Sequence, residues 1–443
     1  MIVGFLLAIA SIAVVLAALL ASRAMYHKNF PQEHSSFDPA SDFVIQVDDY
    51  GSFWDKEVPA RALKRIADDS QSKNTIVALF IHGWHHNANA DDENARDFAK
   101  SLRMIRQKLD DNVNGKPGIY RQSRLSLTDI GDVTVIGIYV GWRGKSLPMP
   151  LNYLTFWGRK ATAERVGDGD LREFLLRLNR IYLERNAPRA ENSKRPFMGM
   201  ISFGHSFGGQ ALFKAVSSTI ESELIAATSN VDGTQRARLA TPLKGFGDMT
   251  VLINPALEAF QYQRIHSLNK LVAYDRRQTP LLLVLSSETD FARQIFFPLG
   301  RTINAMFRAP FRANQRDQWT QALGEYEPQR THSVEILQEA PAKFDPAIYI
   351  DNKCGIVNFD LTDVPAIGGV RLVPTANRTD KFSPFLVAYA SGKVVFRHSG
   401  IFEDRLREFL NDYIAIAEGK RILLADPQAK ECPQENATLP PAN

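Results

Sequence analysis

Six short runs of almost unbroken apolar residues recur along the chain and restrict the folds open to it. They cover residues 75–82, 133–140, 197–203, 249–253, 280–286 and 385–389. A strand with one face in solvent alternates apolar and polar residues, whereas a strand buried on both faces of a parallel sheet does not. Runs of this length suit strands better than helices. They therefore predict a parallel sheet that is covered on both faces.

The segments between these runs have the periodicity of amphipathic helices. Residues 93–110 place one apolar stripe on a helical face, made of Ala95, Phe98, Leu102, Ile105 and Leu109. Residues 171–184 and 210–224 are helix-like as well. Regular alternation of strands and helices predicts the α/β class, with a mostly parallel sheet in a three-layer α/β/α sandwich.

The composition and the positions of the polar and Pro-rich segments indicate one large domain in the 443 residues. The hydrophobic content of 44% and the charged content of 23% are those of a globular protein with a large core. We assign residues 43–424 to the α/β domain and expect its insertion, residues 291–381, to form a lid or an extra wall of the pocket. Residues 26–42 are polar and predict a linker, and the Pro-rich tail 425–443 predicts disorder.

The N-terminus predicts attachment to a membrane. Residues 2–22 carry no charge, and 21 residues at about 1.5 Å each cross a bilayer core of about 30 Å. We expect an uncleaved transmembrane anchor within residues 1–25. The alternative is a signal peptide cleaved at Ser22-Arg23-Ala24 followed by export, although no Lys or Arg precedes the apolar run. Arg23 and Lys28 follow the run, which favours a cytoplasmic domain.

Charge and cysteine content exclude several other partners. The net charge of +4 is small and dispersed, so no nucleic-acid binding is expected. Cys354 and Cys432 are far apart and lack the spacing of metal ligands, and the sequence leaves open whether they pair. No Gly-rich phosphate loop or metal-ligand cluster occurs, so we expect no cofactor and no metal. Nothing in the sequence indicates an oligomeric state.

The strongest chemical motif is Gly204-His205-Ser206-Phe207-Gly208. An apolar strand precedes it and an apolar helix follows, which is the context of a G-x-S-x-G turn that exposes a nucleophilic serine. The small residues on either side permit the tight corner, and the start of the helix directs its positive end at the hydroxyl. The motif makes Ser206 the candidate nucleophile.

A second loop supplies the groups that would stabilise an oxyanion. In this type of site one N–H follows the nucleophile, here that of Phe207, and another comes from the loop after an earlier strand. The run ending in His82-Gly83-Trp84 fits the second position, with Trp84 as the donor and Gly83 shaping the turn. For His82, His85 and His86 we favour ordinary packing over catalysis, and we disfavour a metal site on His85 and His86.

The order serine, acid, histidine that this fold uses narrows the choice of partners. His398 follows the last apolar run and precedes a final amphipathic helix, so it is our candidate base, with His332 as the alternative. The run 280–286 leads into two carboxylates, and we choose Asp290 as the acid with Glu288 as the alternative. Either carboxylate could instead be a solvated loop charge.

These residues resemble the α/β-hydrolase superfamily over about residues 75–419. More narrowly, they resemble a group of bacterial and fungal hydrolase-like proteins through five motifs: Phe80-Ile81-His82-Gly83-Trp84, Gly204-His205-Ser206-Phe207-Gly208-Gly209, Ile253-Asn254-Pro255-Ala256, Ser286-Ser287-Glu288-Thr289-Asp290 and His398-Ser399-Gly400-Ile401-Phe402. The resemblance implies the roles of Asp290 and His398 independently of their spacing. It implies no particular substrate.

We therefore expect a membrane-anchored serine hydrolase that cleaves a carboxylic ester, of lipid-like or otherwise apolar character, through an acyl-enzyme on Ser206. A peptidase or a thioesterase would use the same residues, and the fold does not separate them. The alternative of a different class is a catalytically silent binding or scaffold protein on the same fold.

Overall fold

The computed structural model describes residues 11–14, 16, 17, 20, 36–113, 133–146, 155–187, 196–229, 236–239, 241–275, 277–305, 312, 315–336 and 369–425. Its strands are β1 (Asp42–Val47), β2 (Asn74–Ile81), β3 (Val133–Trp142), β4 (Met198–His205), β5 (Ala237–Arg238), β6 (Met249–Ile253), β7 (Val272–Ala273), β8 (Leu282–Ser287), β9 (His332–Ile336), β10 (Val370–Pro374) and β11 (Phe385–Ala390). Its helices are α1 (Glu57–Ser72), α2 (Glu93–Val113), α3 (Phe156–Asp168), α4 (Asp170–Arg185), α5 (Phe207–Thr228), α6 (Ala259–Asn269), α7 (Phe297–Ala305), α8 (Gln315–Thr320) and α9 (Asp404–Ala425). A π turn, Ala292–Phe296, precedes α7, and a 3₁₀ turn spans Glu327–Gln329.

Nine strands form one sheet in the order β1-β3-β2-β4-β6-β8-β11-β9-β10. Every neighbouring pair is parallel except β9 with β10. The prediction of a mostly parallel sheet in an α/β protein is therefore confirmed, and all six apolar runs supply strands of it. Strands β5 and β7 pair separately.

Helices cover both faces of the sheet. Within β2, Val77, Leu79 and Ile81 pack into one buried cluster that also takes residues from α1, α4 and α5. Ala78 and Phe80 point to the opposite face and join a second cluster with α2 and α9. Because successive side chains of a strand point to opposite faces, an unbroken apolar run fills both layers of core.

The strand order reverses direction between β2 and β4. From β2 the chain proceeds to β3 on one side, whereas β4 and its successors build the sheet on the other. Parallel registry brings Ile81 beside Gly204 at the carboxyl ends of these two strands. Crevices outside the carboxyl ends of strands at such a reversal are the usual ligand sites of open α/β sheets. The fold thus brings the loops after Ile81 and after His205 together.

The predicted insertion, residues 291–381, is only in part an addition to the domain. It contains β9 and β10, which extend the main sheet beyond β11. The sequence pattern missed these two strands, and it also missed β1. All three lie toward the ends of the sheet, where strands are covered less completely and their apolar runs are shorter and more interrupted. Residues 306–311, 313, 314 and 337–368 of the insertion lie outside the described residues.

Most of the predicted anchor, residues 1–25, lies outside the described residues, as do residues 26–35 of the linker and 426–443 of the tail. Among the residues that are described, no helix is both long enough and apolar enough to span a bilayer. Cys354 and Cys432 also lie outside the described residues.

Candidate active site

Ser206 occupies a sharp corner between β4 and α5. Its backbone dihedrals are φ 54° and ψ −119°, a combination that costs a non-glycine residue about 1–3 kcal/mol. The corner closes only because its neighbours lack side chains. A Cβ on Gly208 would lie 2.2 Å from the Ile81 carbonyl oxygen, and one on Gly204 would lie 2.7 Å from the Gly209 Cα. The glycines of the motif are therefore a steric requirement of the turn.

The structure brings Ser206, His398 and Asp290 into one chain of hydrogen bonds. His398 Nε2 lies 2.8 Å from Ser206 Oγ, and His398 Nδ1 lies 2.7 Å from Asp290 Oδ2. Ser206 and Asp290 are buried, whereas the His398 side chain is about one-fifth exposed. The three residues follow β4, β8 and β11, so the parallel sheet alone brings them to one edge.

The charge state of Asp290 follows from its surroundings. Burial of the side chain raises the pKa of Asp290. His398 lowers it by charge attraction and by a hydrogen bond, and Arg293 lowers it further. The lowering effects are larger than that of burial, so the pKa falls to about 2. The carboxylate is therefore ionised at neutral pH and accepts a hydrogen bond from the Nδ1–H group of His398. The Nε2 lone pair of the neutral imidazole then faces the Ser206 hydroxyl, which is the tautomer a general base needs.

The two alternative residues have other partners. Glu288 Oε1 accepts a hydrogen bond of 2.8 Å from the Gly392 N–H, which ties the end of β8 to the loop after β11. His332 begins β9, where it is in register with Ala388, and its Nδ1 lies 2.8 Å from Thr331 Oγ1. Ser206 Oγ and Asp290 Oδ2 thus meet His398, the residue favoured from the sequence.

Gly83, Trp84 and Phe207 lie around the serine. A Cβ on Gly83 would come within 2.8 Å of Ser206 Cβ, so the loop after β2 passes against Ser206. Phe207 is the first residue of α5, and the N–H groups of a first helical turn have no acceptor within the helix. The rings of Trp84 and Phe207 both pack against Phe156, each with centroids 5.0 Å apart, and form an apolar wall beside Ser206.

The histidines of the loop after β2 serve local structure. His82 Nε2 accepts a hydrogen bond of 2.9 Å from the Trp142 N–H, so its Nδ1–H donates to the Gly83 carbonyl oxygen at 2.8 Å. Burial lowers the pKa of His82 to about 4, which keeps the ring neutral in this role. His86 Nδ1 lies 3.2 Å from Asp92 Oδ1. In the described part of the chain no group of three or more His, Cys, Asp or Glu side chains could hold a metal ion.

Asn254, just after β6, joins the two loops that carry Asp290 and His398. Its Nδ2 donates to the carbonyl oxygens of Arg397 and His398 at 3.0 and 3.1 Å. Its Oδ1 accepts from the Ser287 N–H at 2.8 Å and from Arg293 Nη1 at 3.2 Å. Sequence reasoning assigned no role to this residue. The only signal was its place in the motif Ile253-Asn254-Pro255-Ala256.

His205, the residue before Ser206, is a second such support. Its Nε2–H donates to the His398 carbonyl oxygen at 2.8 Å, and burial holds the pKa of His205 well below its ordinary value. The main chain of His398 is therefore held by His205 from β4 and by Asn254 from β6. Thr289 adds a third tie, because its Oγ1 accepts the Arg397 N–H at 2.9 Å.

Backbone strain is concentrated in this region. Among the described residues, the non-glycine positions with positive φ are His85, Ser206, Asn254 and Arg397. All four lie in the loops just described. Such conformations persist only where the surrounding contacts determine them, and they cluster at functional sites.

Comparison with protein-family models, with curated proteins and with solved structures finds no match to this chain. The assignment of a function therefore depends on the geometry of the site and on the motif resemblance alone.

Proposed function

We propose that this protein is a serine hydrolase of the α/β-hydrolase type, with Ser206 as nucleophile, His398 as general base and Asp290 as the acid that orients it. The observation that carries the proposal is the unbroken hydrogen-bonded series from Ser206 Oγ through His398 to a buried, ionised Asp290. These residues are 84 to 192 positions apart in sequence, and a strained turn presents the serine. A structural role alone requires no such strain.

The chemistry follows from the two hydrogen bonds. Ser206 Oγ attacks the carbonyl carbon of an ester while His398 Nε2 takes the hydroxyl proton, and Asp290 stabilises the imidazolium formed. The oxygen of the tetrahedral intermediate accepts hydrogen bonds from the N–H groups of Phe207 and Trp84. The imidazolium then gives its proton to the departing alcohol, which leaves an acyl-enzyme. Water then attacks the acyl carbon while His398 Nε2 takes its proton. The bond from Ser206 Oγ to the acyl carbon breaks, the imidazolium returns its proton to Oγ, and the acid leaves.

The favoured substrate is a carboxylic ester with an apolar acyl chain, as for a carboxylesterase. Aromatic rings line the approach to the serine, because Trp84 and Phe207 pack on Phe156, and Phe156 packs on Trp157 with centroids 5.0 Å apart. Such a wall suits an acyl chain better than a peptide backbone, which needs polar partners along its length. A peptidase or a thioesterase would use the same triad.

The uncharged run 2–22 further supports a protein that is tethered to a membrane, with Arg23 and Lys28 favouring a cytoplasmic domain. A tether of this kind would keep the enzyme beside lipid-like esters.

Labelling with a fluorophosphonate probe tests the proposal, because an activated serine attacks the phosphorus, expels fluoride and becomes phosphonylated, whereas ordinary serines react far more slowly. Wild-type protein should label rapidly and Ser206→Ala should not label. Ser399→Ala is a matched control, since Ser399 is exposed and lies directly beside His398. If the wild-type protein fails to label, a catalytically silent binding or scaffold protein is favoured. If Ser206→Ala labels at the same rate as wild type, the reactive residue is not Ser206 and the proposed site is wrong.

Ester substrates of graded acyl length then test the substrate class. We expect kcat/KM to rise with chain length, because each methylene that enters an apolar wall contributes about 0.8 kcal/mol. A flat profile together with turnover of thioesters or peptides would reassign the substrate.

A further inference from the structure

The helical stretch that begins directly after Asp290 buries Phe297 in the core but presents other apolar side chains to the outside. Phe291, Ile295 and Leu299 are 62%, 53% and 57% exposed, whereas Arg293 and Arg301 are buried. On an ordinary surface helix the apolar residues face the core and the charged residues face water. The spacing of four places the three apolar side chains on one side of the stretch and the two arginines on the other.

Ion pairs hold the helix in this orientation. Arg293 Nη2 lies 3.0 Å from Glu325 Oε1 and donates to the Leu323 carbonyl oxygen at 2.9 Å. Arg301 Nε lies 2.8 Å from Glu258 Oε1. Rotation of the stretch would bury its apolar side only by breaking both of these ion pairs and the Arg293 hydrogen bond to Leu323, which would leave Glu258 with Lys160 alone and Glu325 with Arg330 alone. The outward apolar face is therefore a fixed feature of the fold.

This face lies at the edge of the sheet that holds the candidate active site. Phe291 directly follows Asp290, and Phe396 stands two residues before His398 with nearly half of its surface exposed. The two loops are joined where Thr289 Oγ1 accepts the Arg397 N–H. An exposed apolar surface therefore lies next to the three residues of the site, at the same edge of the sheet.

We propose that Phe291, Ile295, Leu299 and Phe396 form a docking face for the surface of a lipid bilayer. Two features of the sequence select this occupant. Residues 291–316 contain no aspartate or glutamate, and beyond the buried Arg293 and Arg301 they include the exposed Arg312 and Arg316; cationic side chains beside an apolar face are typical of segments that lie at an anionic lipid surface. Thirteen residues, 23–35, separate the uncharged run 2–22 from Ser36, where the described part of the domain begins, and 13 residues span at most about 45 Å.

A bilayer-inserted run would therefore keep the domain within reach of the membrane, and the docking face would turn the edge that carries Ser206 toward it. Substrate would then enter from the lipid rather than from water. This consequence rests on the proposed hydrolase function, whereas the docking itself does not depend on catalysis.

Fluorescence quenching by the lipid tests the docking directly. The full chain with Cys354→Ser and Cys432→Ser receives a single cysteine, Ile295→Cys, labelled with an environment-sensitive dye. It is reconstituted into vesicles of equal parts phosphatidylcholine and phosphatidylglycerol, with or without brominated acyl chains. Arg177→Cys is the control, because Arg177 is about two-thirds exposed on α4, away from the site.

The dye at position 295 should be quenched several-fold more by the brominated lipid than the dye at position 177. Leu299→Cys should repeat the result, so that one poorly folded variant does not decide it. Equal quenching at positions 295 and 177 would overturn the proposal. A blue-shifted dye at 295 that bromine does not quench would also overturn it, because protein would then cover the face. Fluorophosphonate labelling of the same samples reports separately on the proposed catalytic function.

A second measurement addresses delivery of substrate. The double variant Ile295→Ser/Leu299→Ser should lose several-fold in hydrolysis of a long-chain ester embedded in vesicles and keep wild-type hydrolysis of a short, water-soluble ester. Equal losses on both substrates would indicate a structural role for these residues, and no loss on either would refute delivery from the bilayer.

Discussion

Asp290→Asn is the sharpest test of the site, because it changes one oxygen to nitrogen and leaves the shape of the side chain nearly intact. In the wild-type protein the buried carboxylate accepts a hydrogen bond from the Nδ1–H group of His398, with 2.7 Å between Nδ1 and Asp290 Oδ2. An asparagine amide can instead donate to Nδ1, and the imidazole proton then moves to Nε2. In that tautomer the base presents a proton, rather than a lone pair, to Ser206.

The structure sets the size of the effect. The pKa of Asp290 is about 2, against an ordinary value of 3.8, and this difference corresponds to about 2 kcal/mol of net attraction for the nearby cations after the cost of burial. If an attraction of this size acts on the imidazolium that forms as Ser206 reacts, its loss slows the reaction about 30-fold, since 1.4 kcal/mol is a factor of ten. Reversal of the tautomer adds to it, and the same change in serine-protease triads lowers turnover by about 10⁴-fold.

The assay is the rate of fluorophosphonate labelling at neutral pH, followed under excess probe. Glu288→Gln is the matched control, because it makes the same type of change two residues away, on a carboxylate that binds the Gly392 N–H rather than His398. We expect Asp290→Asn to label between about 30-fold and 10⁴-fold more slowly, and Glu288→Gln to stay within a small factor of wild type.

The reasoning would be refuted if Asp290→Asn labelled within a small factor of wild type while remaining folded. It would also be refuted if Glu288→Gln produced the larger loss, because the acid of the site would then be Glu288.

Three further predictions concern the supports of the site and its response to pH. His398→Ala should abolish fluorophosphonate labelling, whereas His332→Gln should label nearly as wild type does. Asn254→Ala should lower the free energy of unfolding in urea by about 1–3 kcal/mol and slow labelling, because two carbonyls, an N–H and the Arg293 guanidinium lose a buried partner. The lowered pKa of Asp290 contributes stability that is present above pH 3.8 and is lost as the pH falls through about 2. In denaturant titrations the free energy of unfolding of wild type should therefore fall by about 1 kcal/mol more than that of Asp290→Asn between pH 5 and pH 3.

Each of these predictions has an opposite result that would count against it. Labelling that survives His398→Ala but not His332→Gln would reassign the base. An Asn254→Ala variant with wild-type stability and labelling would show that the loops are positioned without it. Equal pH dependence in wild type and Asp290→Asn would mean that Asp290 titrates normally in the folded protein.

The oxyanion loop has its own test in a pair of glycines. Gly83→Ala should slow labelling by about 10²-fold, because the new Cβ would lie 2.8 Å from Ser206 Cβ and displace the loop that carries the Trp84 N–H. Gly158→Ala, in α3, is the control, since a Cβ there meets nothing within 4 Å. Equal rates for the two variants would show that the loop does not contribute.

The sequence alone was sufficient where structure is decided locally. Unbroken apolar runs predicted a mostly parallel sheet, because burial on both faces leaves no polar side to alternate with. The glycines of the motif predicted a tight turn at Ser206, because only small residues fit the corner. The predicted sheet topology was enough to bring Asp290 and His398 to the same edge of the sheet as Ser206. Each residue follows a strand of a parallel sheet, and the carboxyl ends of parallel strands share one edge.

Only the tertiary structure decided which side chains meet. Asp290 and Glu288 are two residues apart on one loop, and sequence separation does not show that the first turns to His398 and the second to Gly392. Strands β9 and β10 extend the sheet through pairings that local periodicity does not encode. The same holds for Asn254, whose four hydrogen bonds reach residues 33 to 144 positions away. The outward apolar face after Asp290 likewise exists because partners distant in the chain, Glu325 and Glu258, hold Arg293 and Arg301 inside.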